Sequence, residues 1–559
     1  MDAEAEIVTP IANINYTDFI ACSQFMYKGV KITGSSGGAT FVTVIYSKFY
    51  DARIGIELLE SSFYRITHCT FDRNWTGIKL DGARAQPNGI TDCKFLCNGT
   101  LLADASNTVG NVEITRQGIW AINQSFPVVY LCYFKDLHDG IRVENGRLNI
   151  SNSDFRDLVS LHEEPCDYLA EDGGYAILLF NSTAGFIRDC GMYQLFTGIR
   201  AQSSDLVEVK LNQTDSVTAA IYDLNARSKS KIHDNEFTFD RHGVYAISPL
   251  TGIAPIIQSN VFAISPRPKH PNRKAISLIN AQGGAGDISL NEFSLDIGCW
   301  GIFLESSNGH YIHENEISFD LAKPEDVVLS TGIELRASDY NYLISNLIES
   351  SVQDENVPAG ILTSQSTGNI ECCNTVINPV DAHLFSGACA RTTWHGNRSQ
   401  GTYTNGLHIK DGLFGPQPDN RKPGAGSVSK NTWAPPQQSQ RTDARLTRSS
   451  ETLSKIKAAG CSLPEWPQYI FPSQNCSNNG LDWFTTVNVT VSTPCLSTTV
   501  CQIPITELRG YPEEYFSDTD ISIAEGDLAG ETNGDILQWD GAMQLYHLLR
   551  FYPGLLSED

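Results

Sequence analysis

ITHCTFDRNWTGIKLDGARAQPNGITDCKF, residues 66–95, contains one six-residue pattern twice, with a second pattern between the two copies. The first pattern, ITHCTF at Ile66 and ITDCKF at Ile90, has apolar residues at positions one and six and Cys, Asn or Ser at position four. The second is Gly77-Ile78, which continues as alternating polar and apolar residues. Alternation with a period of two is typical of a strand with one buried face. The stretch therefore predicts short strands joined by tight turns.

Both patterns recur at a nearly constant interval. Ile56 and Ile78 are 22 residues apart, as are Ile119 and Ile141. No segment carries the roughly ten residues of helical period that a crossover helix needs. The interval predicts an all-β, single-stranded solenoid of about fifteen stacked coils with parallel strands, over residues 11–412. Further copies of the first pattern begin at Val44, Val129, Ile150, Ile187, Ile232, Ile257, Ile288 and Ile312.

These repeats resemble the right-handed parallel β-helix repeat family of the pectin-lyase-like fold. Their recurring residue patterns are also similar to those of secreted surface proteins of Bacteroidetes-type bacteria. The resemblance implies a right-handed solenoid and, for the enzymes of this fold, polysaccharide lyase, hydrolase or epimerase activity. The Asn-Thr-Asp, Asp-Asp, Gly-His-Gly and Arg-Ile-Lys motifs of the family's hydrolases do not occur in this sequence.

The fourth position of the six-residue pattern predicts a column of side chains, because stacked coils lie about 4.8 Å apart. Asparagine amides in such a column can donate to one another from coil to coil. The cysteines are predicted to be small buried residues with free thiols, although a disulfide between neighbouring coils is geometrically feasible. The column comprises Ser47, Cys69, Cys93, Cys132, Ser153, Cys190, Asn235, Asn260, Asn291, Asn315 and Asn346.

The Gly-Ile strands supply the candidate binding face, since alternation tells which of their side chains point outward. Charged groups and aromatic rings alternate at these positions, which suits an extended sugar chain; a solvated sheet surface is the alternative. Adjacent-coil acids, Asp81 with Glu144 and Glu305 with Glu334, are candidate calcium ligands or catalytic carboxylates. The outward candidates are Lys79, Asp81, Trp120, Arg142, Glu144, Arg200, Tyr222, Tyr245, Phe303, Glu305, Glu334 and Arg336.

Four insertions, at residues 162–172, 266–274, 321–328 and 353–356, fall at one corner of the coil and predict a charged lip beside this face. Loops on a rigid scaffold often carry binding residues, but a corner that merely tolerates insertion explains them equally well. His162, Glu163, Lys269 and His270 are the candidate ligand residues of the lip.

Composition narrows the class of partner. The net charge is −24, from 64 acidic and 40 basic residues, which disfavours nucleic acid. No apolar run has the roughly 18 residues of a membrane span, and no secretion signal is visible at the N-terminus.

The region after residue 412 predicts three further segments. Residues 413–460 are rich in Pro, Gly, Ser and Gln and predict a linker. Residues 461–505 contain four cysteines, typical of a small disulfide-stapled element in an oxidising compartment. Residues 506–559 are acidic and end in an amphipathic pattern that predicts a helix. Together with the missing signal, this unpartnered helix favours a fragment of a longer chain.

Three functions fit these patterns. The first is an adhesin-like extracellular or cell-surface protein that binds glycans or surfaces through the Gly-Ile face and the lip, with no cofactor except possible calcium. The second is a polysaccharide lyase or glycoside hydrolase of the same fold. The third is a structural rod or tailspike-like fibre component.

Overall fold

The computed structural model describes residues 40–414 except for 60–61, 100–114, 159–173, 249–251, 266–272, 282–286, 297, 321–329, 352–358 and 413. Outside this range it describes residues 6–7, 11–15, 18–20, 28–32, 431–433, 442–447, 456–458, 467, 469–471 and 484–486. All regular elements in the described residues are β-strands. The chain divides into two compact units, residues 1–273 and residues 274–559.

Each coil contributes up to three strands. An entry strand, such as Ser62–Thr67, leads to the column residue, here Cys69, and an exit strand, Thr70–Asp72, follows it. The Gly-Ile strand, Thr76–Asp81, completes the coil. Equivalent strands pair in parallel from coil to coil, so that Ile78 lies opposite Ile56 on one side and Ile119 on the other. The period read from the sequence therefore sets the strand register.

The first unit stacks its coils through two parallel sheets. Its entry strands are Ile11–Asn15, Thr40–Ile45, Ser62–Thr67, Arg84–Thr91, Val128–Tyr130, Arg147–Ser151, Thr183–Arg188, Asp205–Leu206 with Glu208–Lys210, Lys231–His233 and Ile256–Gln258. Its exit strands are Asp18–Ile20, Lys48–Tyr50, Thr70–Asp72, Lys94–Leu96, Tyr133–Lys135, Asp154–Arg156, Gly191–Tyr193 and Val261–Ile264. Its Gly-Ile strands are Glu6–Ile7, Lys28–Ile32, Ile54–Leu58, Thr76–Asp81, Gln117–Ile122, Asp139–Glu144, Tyr175–Phe180 and Thr197–Gln202. Exit and Gly-Ile strands are fused in Gln213–Leu224 and Glu236–Ile247.

The second unit repeats the same three strand classes. Its entry strands are Asp287–Ser289, Tyr311–His313, Tyr342–Ile344, Ile370–Cys372 and Thr393–His395. Its exit strands are Glu292–Asp296, Glu316–Asp320, Leu347–Ser350, Thr375–Ile377, Arg398–Gln400 and Thr432–Trp433. Its Gly-Ile strands are Arg273–Ile279, which begins at the last residue of the first unit, then Cys299–Glu305, Thr331–Arg336, Ala359–Ser364, Asp381–Ser386, Asn405–Lys410, Thr442–Thr447 and Ile470–Phe471. A separate parallel pair joins Ile456–Ala458 to Phe484–Thr486.

The predicted column is present in the first unit. The backbone N–H after each column residue donates to the carbonyl of the column residue before it, as from Lys94 to Cys69 and from Tyr133 to Cys93. Asn212, which the six-residue pattern does not predict, joins the column between Cys190 and Asn235. The Asn235 Oδ1 atom accepts from the backbone N and the Nδ2 of Asn212, both at 3.0 Å. Cys69, Cys93, Cys132 and Cys190 are buried and free, as predicted.

Within the second unit, an asparagine column extends beyond the predicted members. Asn346 Nδ2 donates to Asn374 Oδ1 at 2.9 Å, and Asn374 donates in the same way to Asn397. Asn397 in turn donates to Asn431. Because Thr442–Thr447 also pairs with Asn405–Lys410, the solenoid extends past residue 412 into the predicted linker. Most of residues 461–505 and all of 506–559, including the predicted terminal helix, lie outside the described residues.

Aromatic rings fill the core beneath the column in the first unit. Phe49, Phe71, Phe95, Phe134 and Phe155 come from consecutive exit strands and stack with centroid separations of 4.9, 4.9, 4.7 and 4.6 Å. These rings leave no room for side chains at the glycines of the Gly-Ile pattern. A Cβ atom at position 77 would approach the Phe95 ring to 2.8 Å and the carbonyl oxygen of Gly118 to 2.6 Å.

Candidate functional site

One row of outward side chains crosses the Gly-Ile strands of the first unit. Residue pairing aligns Glu57 with Lys79, Lys79 with Trp120, and Trp120 with Arg142. After Leu178, the row continues through Arg200, Tyr222 and Tyr245. Acidic, basic and aromatic side chains from successive coils therefore lie side by side, as the period predicts.

Ion pairs and cation–π contacts hold the first half of this row. Lys79 Nζ lies 3.0 Å from Glu57 Oε1 and 5.3 Å from the centre of the Trp120 ring. Trp120 Nε1 donates to Glu144 Oε1 at 3.2 Å, and Arg142 Nε donates to the same oxygen at 2.6 Å. The indole stays half-buried, with its polar edge held by Glu144. A ring fixed in this way can stack against an apolar sugar face without losing further rotamer freedom.

The second half of the row is more buried than outward positions predict. Arg200 is 3% exposed and Tyr222 is 6% exposed. Arg200 Nη1 donates to the Tyr175 hydroxyl at 2.8 Å, and the guanidinium lies 5.4 Å from each of the Tyr175 and Tyr222 ring centres. Tyr222 also packs against Tyr245, with 5.2 Å between centroids. Burial raises the pKa of the Tyr222 hydroxyl, and the Arg200 charge partly opposes this rise.

The candidates of the second unit also pack against one another. Phe303 is 1% exposed because the Lys274 ammonium lies 3.4 Å from its ring centre and the Arg336 guanidinium 5.1 Å. Glu334, 3% exposed, accepts from Trp300 Nε1 at 2.6 Å and from Arg336 Nη2 at 2.7 Å. Of these five side chains, Arg336 is the most accessible. The predicted outward position of Phe303 and Glu334 therefore does not make them accessible to a ligand.

The two acidic pairs that the sequence suggested as calcium ligands or catalytic carboxylates were both expected in adjacent coils, and one pair is not. Asp81 aligns with Ile122, and Ile122 aligns with Glu144, so the two acids are two coils apart and not in adjacent coils. Asp81 also accepts a hydrogen bond from Asn123 at 2.8 Å. Glu305 aligns with Arg336, two residues after Glu334 on the same strand. Among the described residues, no group of three or more His, Cys, Asp or Glu side chains is arranged to hold a metal ion.

The lip candidates His162, Glu163, Lys269 and His270 lie outside the described residues. The strands on either side of them are described. Residues 159–173 connect the exit strand Asp154–Arg156 to the Gly-Ile strand Tyr175–Phe180. Residues 321–329 and 352–358 make the equivalent connection in the second unit.

Several residues of these networks, among them Glu57, Tyr175, Trp300 and Lys274, were not among the sequence candidates. Glu57 could have been found, because it follows Gly55-Ile56 at the same offset as Lys79 follows Gly77-Ile78. Tyr175 and Trp300 stand near the start of their Gly-Ile strands, at positions for which the repeat gives no outward preference.

Comparison with known proteins supports the handedness of the coil. Residues 28–163 match the family model described as a right handed beta helix region. No curated protein matches the chain. The fold of the described residues is a right-handed parallel β-helix, and no helix among them is long and apolar enough to cross a bilayer.

Several solved structures are similar to this chain at low identity. One is a tailspike protein mutant of E. coli bacteriophage HK620 in complex with a pentasaccharide, with 12% identity, coverage of 65% of this chain and 73% of the tailspike, and a TM-score of 0.39. Another is the periplasmic alginate epimerase AlgG, with 11% identity, coverage of 73% and 77%, and a TM-score of 0.33. A third is DFA-IIIase from Arthrobacter chlorophenolicus without its lid, with 12% identity, coverage of 64% and 83%, and a TM-score of 0.29.

Proposed function

We propose that the protein binds a glycan outside the cell or at a cell surface, through the Gly-Ile face of its first unit. The observation that carries this proposal is the row of Lys79, Trp120 and Arg142 in consecutive coils. Trp120 offers an apolar ring for stacking, and the charged groups beside it suit sugar hydroxyls. The face is built on paired strands, so these groups are held in place before a ligand arrives, which lowers the entropy lost on binding.

The arrangement favours binding over glycosidic bond cleavage. Hydrolysis requires two carboxyl groups on either side of the scissile bond. On this face Glu144 is engaged by Arg142 and Trp120, and Asp81 is engaged by Asn123. Both acids therefore have partners that hold the face together.

Retention on immobilised neutral and acidic polysaccharides, with and without calcium, tests the proposal. We expect at least one polysaccharide to retain the protein without new reducing ends or unsaturated uronate absorbance. Trp120→Ala should weaken that interaction about tenfold, which corresponds to about 1.4 kcal/mol. Tyr130→Ala is the matched control, because Tyr130 is an aromatic residue 38% exposed on an entry strand. Absence of retention on every polysaccharide, or equal losses in both variants, would contradict the proposal.

A further inference from the structure

A cleft of about 450 Å³ lies in the first unit, at the corner where Gly-Ile strands end and entry strands begin. It is separate from the row of Lys79, Trp120 and Arg142, none of which lines it. Its lining residues are Arg84, Gln124, Phe126, Asn145, Gly146, Arg147, Asn181 and Thr183.

The chemistry of this lining differs from that of the whole chain. Acidic residues outnumber basic ones by 64 to 40 in the sequence, yet the cleft is lined by two arginines and no acidic residue. Three side-chain amides, from Gln124, Asn145 and Asn181, add hydrogen-bond donors and acceptors. Guanidinium and amide groups around one aromatic ring can bind both an anion and sugar hydroxyls.

Within the described part of the chain, the two arginine side chains have no other polar partner. Arg84 and Arg147 are exposed, and neither side chain forms an ion pair or hydrogen bond with the described residues. Arg142, by contrast, pairs with Glu144 at 2.6 Å, and Arg227 pairs with Asp205 at 3.2 Å. Asp205 contacts the lining through the Thr183 hydroxyl at 3.4 Å, and it already has Arg227 as its partner.

The fold places these arginines on either side of Phe126. Arg84 forms a parallel bridge with Phe126 in the next coil. In the coil after that, Arg147 N donates to the carbonyl of Ser125, the residue before Phe126, at 2.9 Å. The two arginine backbones are therefore separated by two coil spacings, about 10 Å. Long side chains reaching inward from these positions can both contact one anionic group above the ring.

We propose that this corner cleft is a second site, which binds the anionic substituent of a glycan, a carboxylate, sulfate or phosphate, between Arg84 and Arg147. The inference rests on the proposed glycan binding and extends it to the charge of the ligand. The Phe126 ring and the amides of Gln124 and Asn145 contact the sugar that carries the anion. Such pairing strengthens at low ionic strength and weakens as salt screens the charges.

Calorimetric titration with four hexasaccharides tests the inference: hexagalacturonate, a chondroitin sulfate hexasaccharide, a phosphorylated mannohexaose and neutral cellohexaose. The double variant Arg84→Gln/Arg147→Gln removes both charges and keeps polar side chains. Arg65→Gln is the control, because Arg65 is an exposed arginine on the entry strand Ser62–Thr67, outside the cleft. We expect at least one anionic hexasaccharide to bind, with affinity falling roughly tenfold or more in the double variant and unchanged in the control.

Two results would overturn the inference. One is binding of an anionic hexasaccharide with equal affinity by the wild type and the double variant. The other is absence of binding by all three anionic probes. Either result, combined with retention on a neutral polysaccharide that Trp120→Ala weakens, would leave the proposed function standing while removing the corner site. A double variant that lost neutral binding as well would also count against a separate site.

Discussion

Asp223 provides a sharp test of how the interior of the first unit is built. It pairs with Ala201 on one side and Ala246 on the other, at a position where the Gly-Ile strands point into the core, and it is 2% exposed. Burial raises the pKa of its carboxyl group from 3.8 to about 7. The Ser230 hydroxyl, 3.5 Å from Oδ2, opposes this rise, and the negative charge of Asp205 adds to it.

The sign of the effect on stability follows from which state binds the proton more tightly. The folded protein holds this proton up to about pH 7, whereas an unfolded chain releases it near pH 3.8. Stability therefore falls as the pH rises between these values, and the loss is complete above about pH 7. Each pH unit of that difference is worth about 1.4 kcal/mol, so the ionised carboxyl destabilises the fold by about 4 kcal/mol at pH 8.

Asp223→Asn removes the ionisation while preserving the size of the side chain. We expect the unfolding free energy of the variant, relative to wild type, to rise by about 4 kcal/mol between pH 4 and pH 8. Urea titrations followed by circular dichroism at several pH values measure this difference. Asp189→Asn is the control, because Asp189 is exposed at a left-handed turn position, with φ of 52°, that asparagine also adopts. A variant-to-wild-type difference that stays constant with pH would refute the reasoning.

Two further predictions concern buried polar groups. Glu371 and His383 are fully buried in the second unit, with Oε2 and Nδ1 3.4 Å apart. Glu371→Leu or His383→Leu alone should lower the free energy of unfolding by about 3 kcal/mol, whereas the double variant should be close to wild type. A double-mutant cycle by urea unfolding measures this coupling, and additive losses would contradict it. Asn235→Ala removes the acceptor of Asn212 and the donor to Asn260, so it should destabilise the first unit by about 2 kcal/mol or more. Hydrogen exchange at the amide of Asn212 should accelerate in this variant, and unchanged protection there would show that the column contributes little.

The sequence predicts the coil geometry well because the same contacts recur at each step. Cys69, Cys93 and Cys132 do share a column with Asn235, since each stands three residues after an inward-pointing apolar residue of its entry strand. The predicted adjacency of Asp81 and Glu144 is wrong for a simple reason. The Gly-Ile strand Gln117–Ile122 lies between the two strands that carry these acids, and its Ile122 aligns with Asp81 on one side and with Glu144 on the other.

Accessibility is harder to predict than position. Alternation correctly places Arg200 and Phe303 on the outward side of their strands, yet both are buried by residues of neighbouring coils and positions. Tyr175 covers Arg200, and Lys274 covers Phe303. These contacts depend on which long side chain the next coil supplies, and a repeat pattern does not encode that choice. The corner cleft was missed for a related reason, because its residues lie between the two patterns.

The column of Asn212, Asn235 and Asn260 makes neighbouring coils interchangeable at their edges, since each amide offers the same donors and acceptor to the next. A solenoid of this kind can change length by gaining or losing an entire coil, about 22 residues in its shortest form, and still find matching partners on both sides. Removal of one residue within a strand has the opposite effect, because it turns the following side chains from the interior to the solvent. Growth of such proteins by whole-coil duplication is therefore structurally easy, whereas single deletions inside their strands are not.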